Sequence, residues 1–115
     1  MEFILLVQTA PGGGQAPHSA LAFAEAAAQA GHRVRQVFFL GEGVWAQVPD
    51  APPADQAELY AAWQALAQRE GTELLACVSA AERRGLHRPA GAIHPGSLGQ
   101  LMTALDGARV VRFCA

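Results

Sequence analysis

Of the two cysteines in the chain, Cys77 and Cys114, the first has the surroundings for chemistry. It nearly closes an apolar stretch, residues 73–78 (ELLACV), and stands two residues ahead of Ser79-Ala80-Ala81-Glu82, which fits the reciprocal capping box of a helix start. A strand that delivers a thiol to a helix N-terminus places it among unpaired N–H groups and the positive end of the helix dipole, which favour thiolate over thiol. Arg83 or Arg84 adds positive charge nearby. The thiolate is the nucleophile, so Cys77 is the candidate catalytic residue. The competing reading makes it one more small apolar core residue, since free cysteine is among the most buried types.

Other constellations are weaker. Cys77 and Arg83 have the Cys, five residues, Arg spacing of low-molecular-weight tyrosine phosphatases and arsenate reductases. The five residues between them, Val-Ser-Ala-Ala-Glu, hold no glycine to curl the loop and a carboxylate that repels phosphate. Gly12-Gly13-Gly14 lies where a dinucleotide loop would, but the G-x-G-x-x-G spacing is missing and no acidic residue ends the second apolar run, so a flexible turn is expected. His18, His32, His87 and His94 show no metal-ligand spacing, and the two cysteines form no C-x-x-C pair. No metal or cofactor is therefore expected, although His18 or His94 could approach Cys77 from the loops. Trp63 fits a core stripe rather than a stacking platform with Tyr60, whereas Trp45 on an apolar loop suggests a subunit contact.

The elements that must position Cys77 follow from the hydrophobic pattern. Residues 3–9 (FILLVQT) read as a buried central strand, broken by Pro11 and the three glycines. Residues 19–30, nearly all alanine, read as a helix stopped by Gly31. A second strand is expected over 33–40 and a loop, or at most one helical turn, over 44–54. Asp55 with Glu58 should cap a helix whose Leu59, Trp63 and Leu66 form one buried face, closed by Gly71. The third strand, 73–78, runs to a short helix ending at Gly85, then a loop from 86 to 96 with Pro89 and Pro95. Ser97 should cap a last helix with Leu98, Leu101, Met102 and Leu105 on one stripe, and residues 108–113 form a fourth strand. Strands alternating with helices imply a three-layer α/β/α domain around a doubly wound, mainly parallel sheet of four to five strands. Reactive groups in such sheets gather at the carboxyl ends of the strands, where Cys77 falls.

Composition sets the bounds. At 115 residues, of which 51% are hydrophobic and 16% charged, the chain suits one folded domain, 1–115. All eight basic residues are arginine, including Arg88; without lysine there is no Schiff base and no P-loop lysine. A net charge of −2 argues against direct nucleic-acid binding. The first apolar run is too short for a secretory signal or a membrane span, which points to a cytoplasmic protein with free thiols and no membrane partner.

Taken in order, Phe3-Ile-Leu-Leu-Val7, the run 19–32 (SALAFAEAAAQAGH), Val37-Phe-Phe-Leu-Gly-Glu-Gly-Val44, Trp63-Gln64, Cys77-Val-Ser-Ala-Ala-Glu-Arg-Arg-Gly85 and Val110-Val-Arg-Phe113 resemble the DsrE/TusD family over nearly the whole chain. The resemblance implies a DsrE/F-like fold and a sulfurtransferase subunit that carries sulfur as a persulfide on Cys77. It further implies TusB-like and TusC-like companion subunits in a heterohexamer, a TusA-like sulfur donor and a TusE-like (DsrC-like) acceptor. The pathway would be 2-thiolation of the tRNA wobble uridine or, in the DsrE branch, sulfur oxidation; a third possibility is a non-catalytic assembly subunit. The stretch 86–95 is shorter than the family pattern, Pro11-Gly-Gly-Gly14 replaces a less glycine-rich turn, and Cys114 has no counterpart.

Overall fold

The computed structural model describes residues 1–87 and 91–114; Arg88 and Pro89 lie outside the described residues. Five strands form one parallel sheet: β1 (Glu2–Val7), β2 (Arg33–Phe39), β3 (Glu73–Cys77), β4 (His94–Gly96) and β5 (Arg109–Phe113). They lie in the order β4-β3-β2-β1-β5. The chain steps outward from β1 to β4 and then crosses back to set β5 beside β1. Right-handed crossovers therefore put α1 (Ala16–Gln29) and α2 (Gln56–Glu70) on one face and α4 (Leu98–Ala104) on the other. This is the expected three-layer, doubly wound α/β fold, with five strands.

Side-chain alternation assigns the faces. Gln36 and Glu73 are register partners and their side chains hydrogen-bond at 2.7 Å. A groove lined by Gln36, Glu73, Ser97, Gln100 and Thr103 separates them from α4. Leu74 and Ala76 then face the opposite way with Phe39, whose ring meets Trp63 of α2 edge-on at 5.5 Å. Trp63, Leu59 and Leu66 are buried together, as the one-faced pattern of that helix requires.

Several boundaries and caps differ from the sequence expectation. Helix α1 starts at Ala16 rather than Ser19, with Pro17 in its first turn where a missing N–H costs nothing. The 44–54 loop is in part a 3₁₀ helix, Gly41–Gln47, held from below by the buried Gln56, which donates Nε2 to Ala46 O (3.2 Å) and Val48 O (3.1 Å). Asp55 makes no capping bond; its Oδ2 meets His18 Nε2 at 3.1 Å instead. The 86–96 loop contains β4, three residues whose proline is tolerated because the strand lies at the sheet edge. On α4 only Leu101 is buried, while Leu98 and Met102 are 58% and 66% exposed, so the expected apolar stripe is half covered.

The Ser97 cap forms as expected: Gln100 N donates to Ser97 Oγ at 3.2 Å and Ser97 N to Gln100 Oε1 at 2.8 Å. Ser97→Ala should lower stability by about 1 kcal/mol in urea denaturation. The far end of α4 is tied to the sheet by Arg35, which donates Nη1 to Ala104 O (2.5 Å) and Asp106 O (2.6 Å) and Nε to Glu2 Oε1 (2.8 Å). The Arg35 hydrogen bond holds the Glu2 carboxyl below its ordinary value of 4.5. A depressed carboxylate contributes stability above its unfolded pKa and loses it as pH falls through the folded one. Glu2→Gln should therefore lose less stability than the parent on acidification from about pH 5 to about pH 3, measured by thermal unfolding.

Candidate active site

Cys77 is the last residue of β3 and, at φ −61° and ψ 119°, also the N-cap of α3 (Val78–Arg83). The helix thus begins two residues before the position the Ser79-Glu82 pattern marks. Ser79 is already helical, its hydroxyl makes no cap, and the capping box is absent. The strand-to-helix junction that the sequence reading required is nevertheless formed, with the cysteine itself at the junction. Alternation from Gln36 and Glu73 turns Cys77 toward the α4 side, beside its register partner Gly96 on β4. A Cβ on Gly96 would come within 2.7 Å of Leu75 Cβ, so the close approach of β4 to β3 depends on glycine there. Cys77 is buried with the core, with 9% of the residue's surface exposed.

The basic residues expected near the thiol are deployed differently. Arg84 is committed to the carboxylate of Glu42 on the 3₁₀ helix and, through Nη1, to Ala80 O at 2.9 Å. It fastens α3 to the 3₁₀ helix. Arg83 is exposed. Because residues 78–83 are wound into a helix, no open loop encircles an oxyanion, which removes the phosphatase geometry.

Of the two histidines expected to approach Cys77, one is engaged elsewhere and the other stands on the neighbouring strand, two residues from Gly96, the register partner of Cys77. His18 is held by Asp55, and His94 pairs with Leu75, the middle residue of β3, and lines a groove with Gln64, Thr72 and Glu73. His32 stacks edge-on to Phe3, and His87 lies in the segment after α3. The glycine turn is a turn, with Gly13 N bonded to Ala10 O at 2.9 Å. Trp63 belongs to the core, Tyr60 accepts a hydrogen bond from Ala92 N at 2.9 Å, and Trp45 is half-buried on the 3₁₀ helix rather than exposed. Cys114 is exposed, with Arg112 Nε and Nη2 3.4 and 3.3 Å from its sulfur.

One contributor went unseen in the sequence. Gln47 ends the 3₁₀ helix, is buried, and donates Nε2 to His87 O at 2.8 Å, so it pins the segment that follows α3. A buried amide bonding across forty positions leaves no local signature.

The doubly wound parallel sheet, with Cys77 at the carboxyl end of a strand and at a helix start, places the chain among small single-sheet α/β domains. The model of the DsrE/DsrF-like family matches residues 1–113, and the chain belongs to that family. Among curated proteins, it is 38% identical to the sulfurtransferase TusD of Salmonella newport (strain SL254) over 128 aligned positions, covering 98% of this chain and 100% of that protein. It is 44% identical to the sulfurtransferase TusD of Enterobacter sp. (strain 638) over 87 residues, 75% of this chain and 68% of that protein. The solved ychN protein from E. coli shares the fold, with a TM-score of 0.77 at 18% identity, covering 98% of this chain and all of that one. Among the described residues, no helix is long and apolar enough to cross a membrane.

Proposed function

We propose that this chain is a sulfurtransferase subunit in a sulfur relay, and that Cys77 carries the sulfur as a persulfide. The observation that carries the reading is the position of Cys77, at once the end of a core strand and the N-cap of a helix, in a chain whose relatives are named sulfurtransferases. The step is an exchange without net oxidation. The Cys77 thiolate attacks the outer sulfur of a donor persulfide, forming one S–S bond as the donor's S–S bond breaks, and the donor leaves as a thiolate. An acceptor thiolate repeats the step on the Cys77 persulfide. No metal and no strong general base are needed.

The relay is most economically that of tRNA wobble-uridine 2-thiolation, with a TusA-like donor, a TusE-like acceptor and TusB-like and TusC-like companions in the cytoplasm. The net charge of −2 fits a subunit that hands sulfur to proteins rather than holding the tRNA itself. Incubation with a protein persulfide donor, followed by mass spectrometry of the intact chain and its peptides, tests the reading. The expected result is one added sulfur on the peptide containing Cys77; an unmodified Cys77 peptide after full turnover of the donor would overturn it.

A further inference from the structure

A cavity of about 40 Å³ lies under α3, lined among the described residues by Gln47, Val78, Ala81, Glu82, Leu86 and Pro95 with two others. Its wall is mainly aliphatic. Its polar members are Gln47, Glu82 and His87: Gln47 is only 7% exposed, its Nε2 is given to His87 O, and its Oε1 is buried with no hydrogen-bond partner. A buried acceptor left without a donor costs free energy that an incoming N–H would recover. Glu82, an exposed carboxylate in the lining, likewise favours a donor.

The cavity is adjacent to Cys77 but on the other side of the strand end. Ala76 and Pro95, which line it, are register partners and alternate with Cys77 and Gly96. An extended polypeptide sends successive side chains to opposite sides. A segment laid across the end of β3 with its cysteine toward Cys77 would therefore turn the neighbouring side chain toward this cavity. Volume and lining admit a small aliphatic group, and Gln47, whose buried Oε1 has no partner, stands in the wall.

We infer that this cavity is the recognition subsite for the sulfur carrier that meets Cys77, and that it selects a small aliphatic residue directly beside the carrier's reacting cysteine. The inference rests on the reading of Cys77 as the sulfur-carrying residue. It adds the chemistry by which the partner is recognised.

The test uses two capped dipeptides, N-acetyl-Cys-Val-amide and N-acetyl-Cys-Gly-amide, with N-acetyl-Cys-Leu-amide as a third probe for the Leu86→Ala variant, titrated into the full chain carrying Cys77→Ser and followed by NMR at the Gln47 side-chain amide and the Ala81 methyl. Binding of the valine peptide should shift both signals and be about tenfold tighter than that of the glycine peptide, as expected for burying the added carbons. Ala81→Leu should erase the difference, and Leu86→Ala, which enlarges the site without crowding α3, should move the preference from valine to leucine. Equal affinity of the two peptides, absence of shifts at Gln47 and Ala81, or an unchanged preference in Leu86→Ala overturns the subsite. Because binding is read without any sulfur transfer, failure here is separate from a failure of Cys77 to load in the persulfide assay.

Discussion

Cys77→Ser should abolish sulfur loading from a persulfide donor, while Cys114→Ser should load as the parent does. Serine keeps the size of the side chain but offers an alcohol, which neither ionises at neutral pH nor forms a bond to sulfur that the next thiolate can reopen. Cys114 is the demanding control. It is exposed, and the Arg112 guanidinium faces its sulfur, so it has the more open access to any small reagent. Specific loading of the less exposed thiol would show that position at the strand end, rather than access alone, decides which cysteine reacts. Since Cys77 is 9% exposed, its serine hydroxyl can be left without a partner, at a cost of about 1–3 kcal/mol. Cys77→Ala therefore belongs beside it, to show that lost loading and lost stability are separate. Loading that persists in Cys77→Ser and disappears in Cys114→Ser would transfer the role to the second cysteine; equal loading of both variants would make the reaction nonspecific.

The parts of this site that were legible in the sequence are those written in consecutive residues. The runs that become β1, β2 and β3 are apolar because strands covered on both faces must be, and that pattern alone sets Cys77 at a carboxyl end. The caps were legible only where the backbone obeyed them. Ser97 has the extended ψ of 158° that lets its hydroxyl reach back to Gln100 N, so its box forms. Ser79 carries an equally good pattern, yet β3 passes into α3 with no residue between strand and helix. Cys77 takes the N-cap position and Ser79 is already wound into the helix. Strand β4 could not be read at all, because His-Pro-Gly becomes a strand only through its pairing with β3. The same holds for the seat of α3. The links from Gln47 to His87 and from Glu42 to Arg84 join residues about forty positions apart, and periodicity carries no information at that separation.

Those long-range links depend on how the 3₁₀ helix is seated, which leads to the largest stability effect expected from a single added methyl group. A Cβ on Gly43 would stand 2.1 Å from the Val7 carbonyl oxygen and 2.9 Å from its carbon. The clash is with backbone at the end of the central strand, and that same carbonyl accepts Leu40 N at 3.0 Å, so it cannot swing aside without losing a bond. Gly43→Ala should therefore lift the 3₁₀ helix from β1 at a cost of about 3 kcal/mol. Gly41→Ala separates this from a mere preference for glycine. Gly41 has the left-handed φ of 57°, but its nearest obstacle is Gln8 O at 3.9 Å, so about 1 kcal/mol is expected there. Urea denaturation measures both. The site should register the difference as well: Glu42 and Gln47 travel with the 3₁₀ helix, so in Gly43→Ala α3 loses its anchor and Cys77 should alkylate faster in the folded protein, whereas in Gly41→Ala its rate should stay near that of the parent. Equal stability losses at the two glycines, or an unchanged Cys77 rate in Gly43→Ala, would mean that the thiol's cover is set by β4 and α4 and not by the 3₁₀ helix.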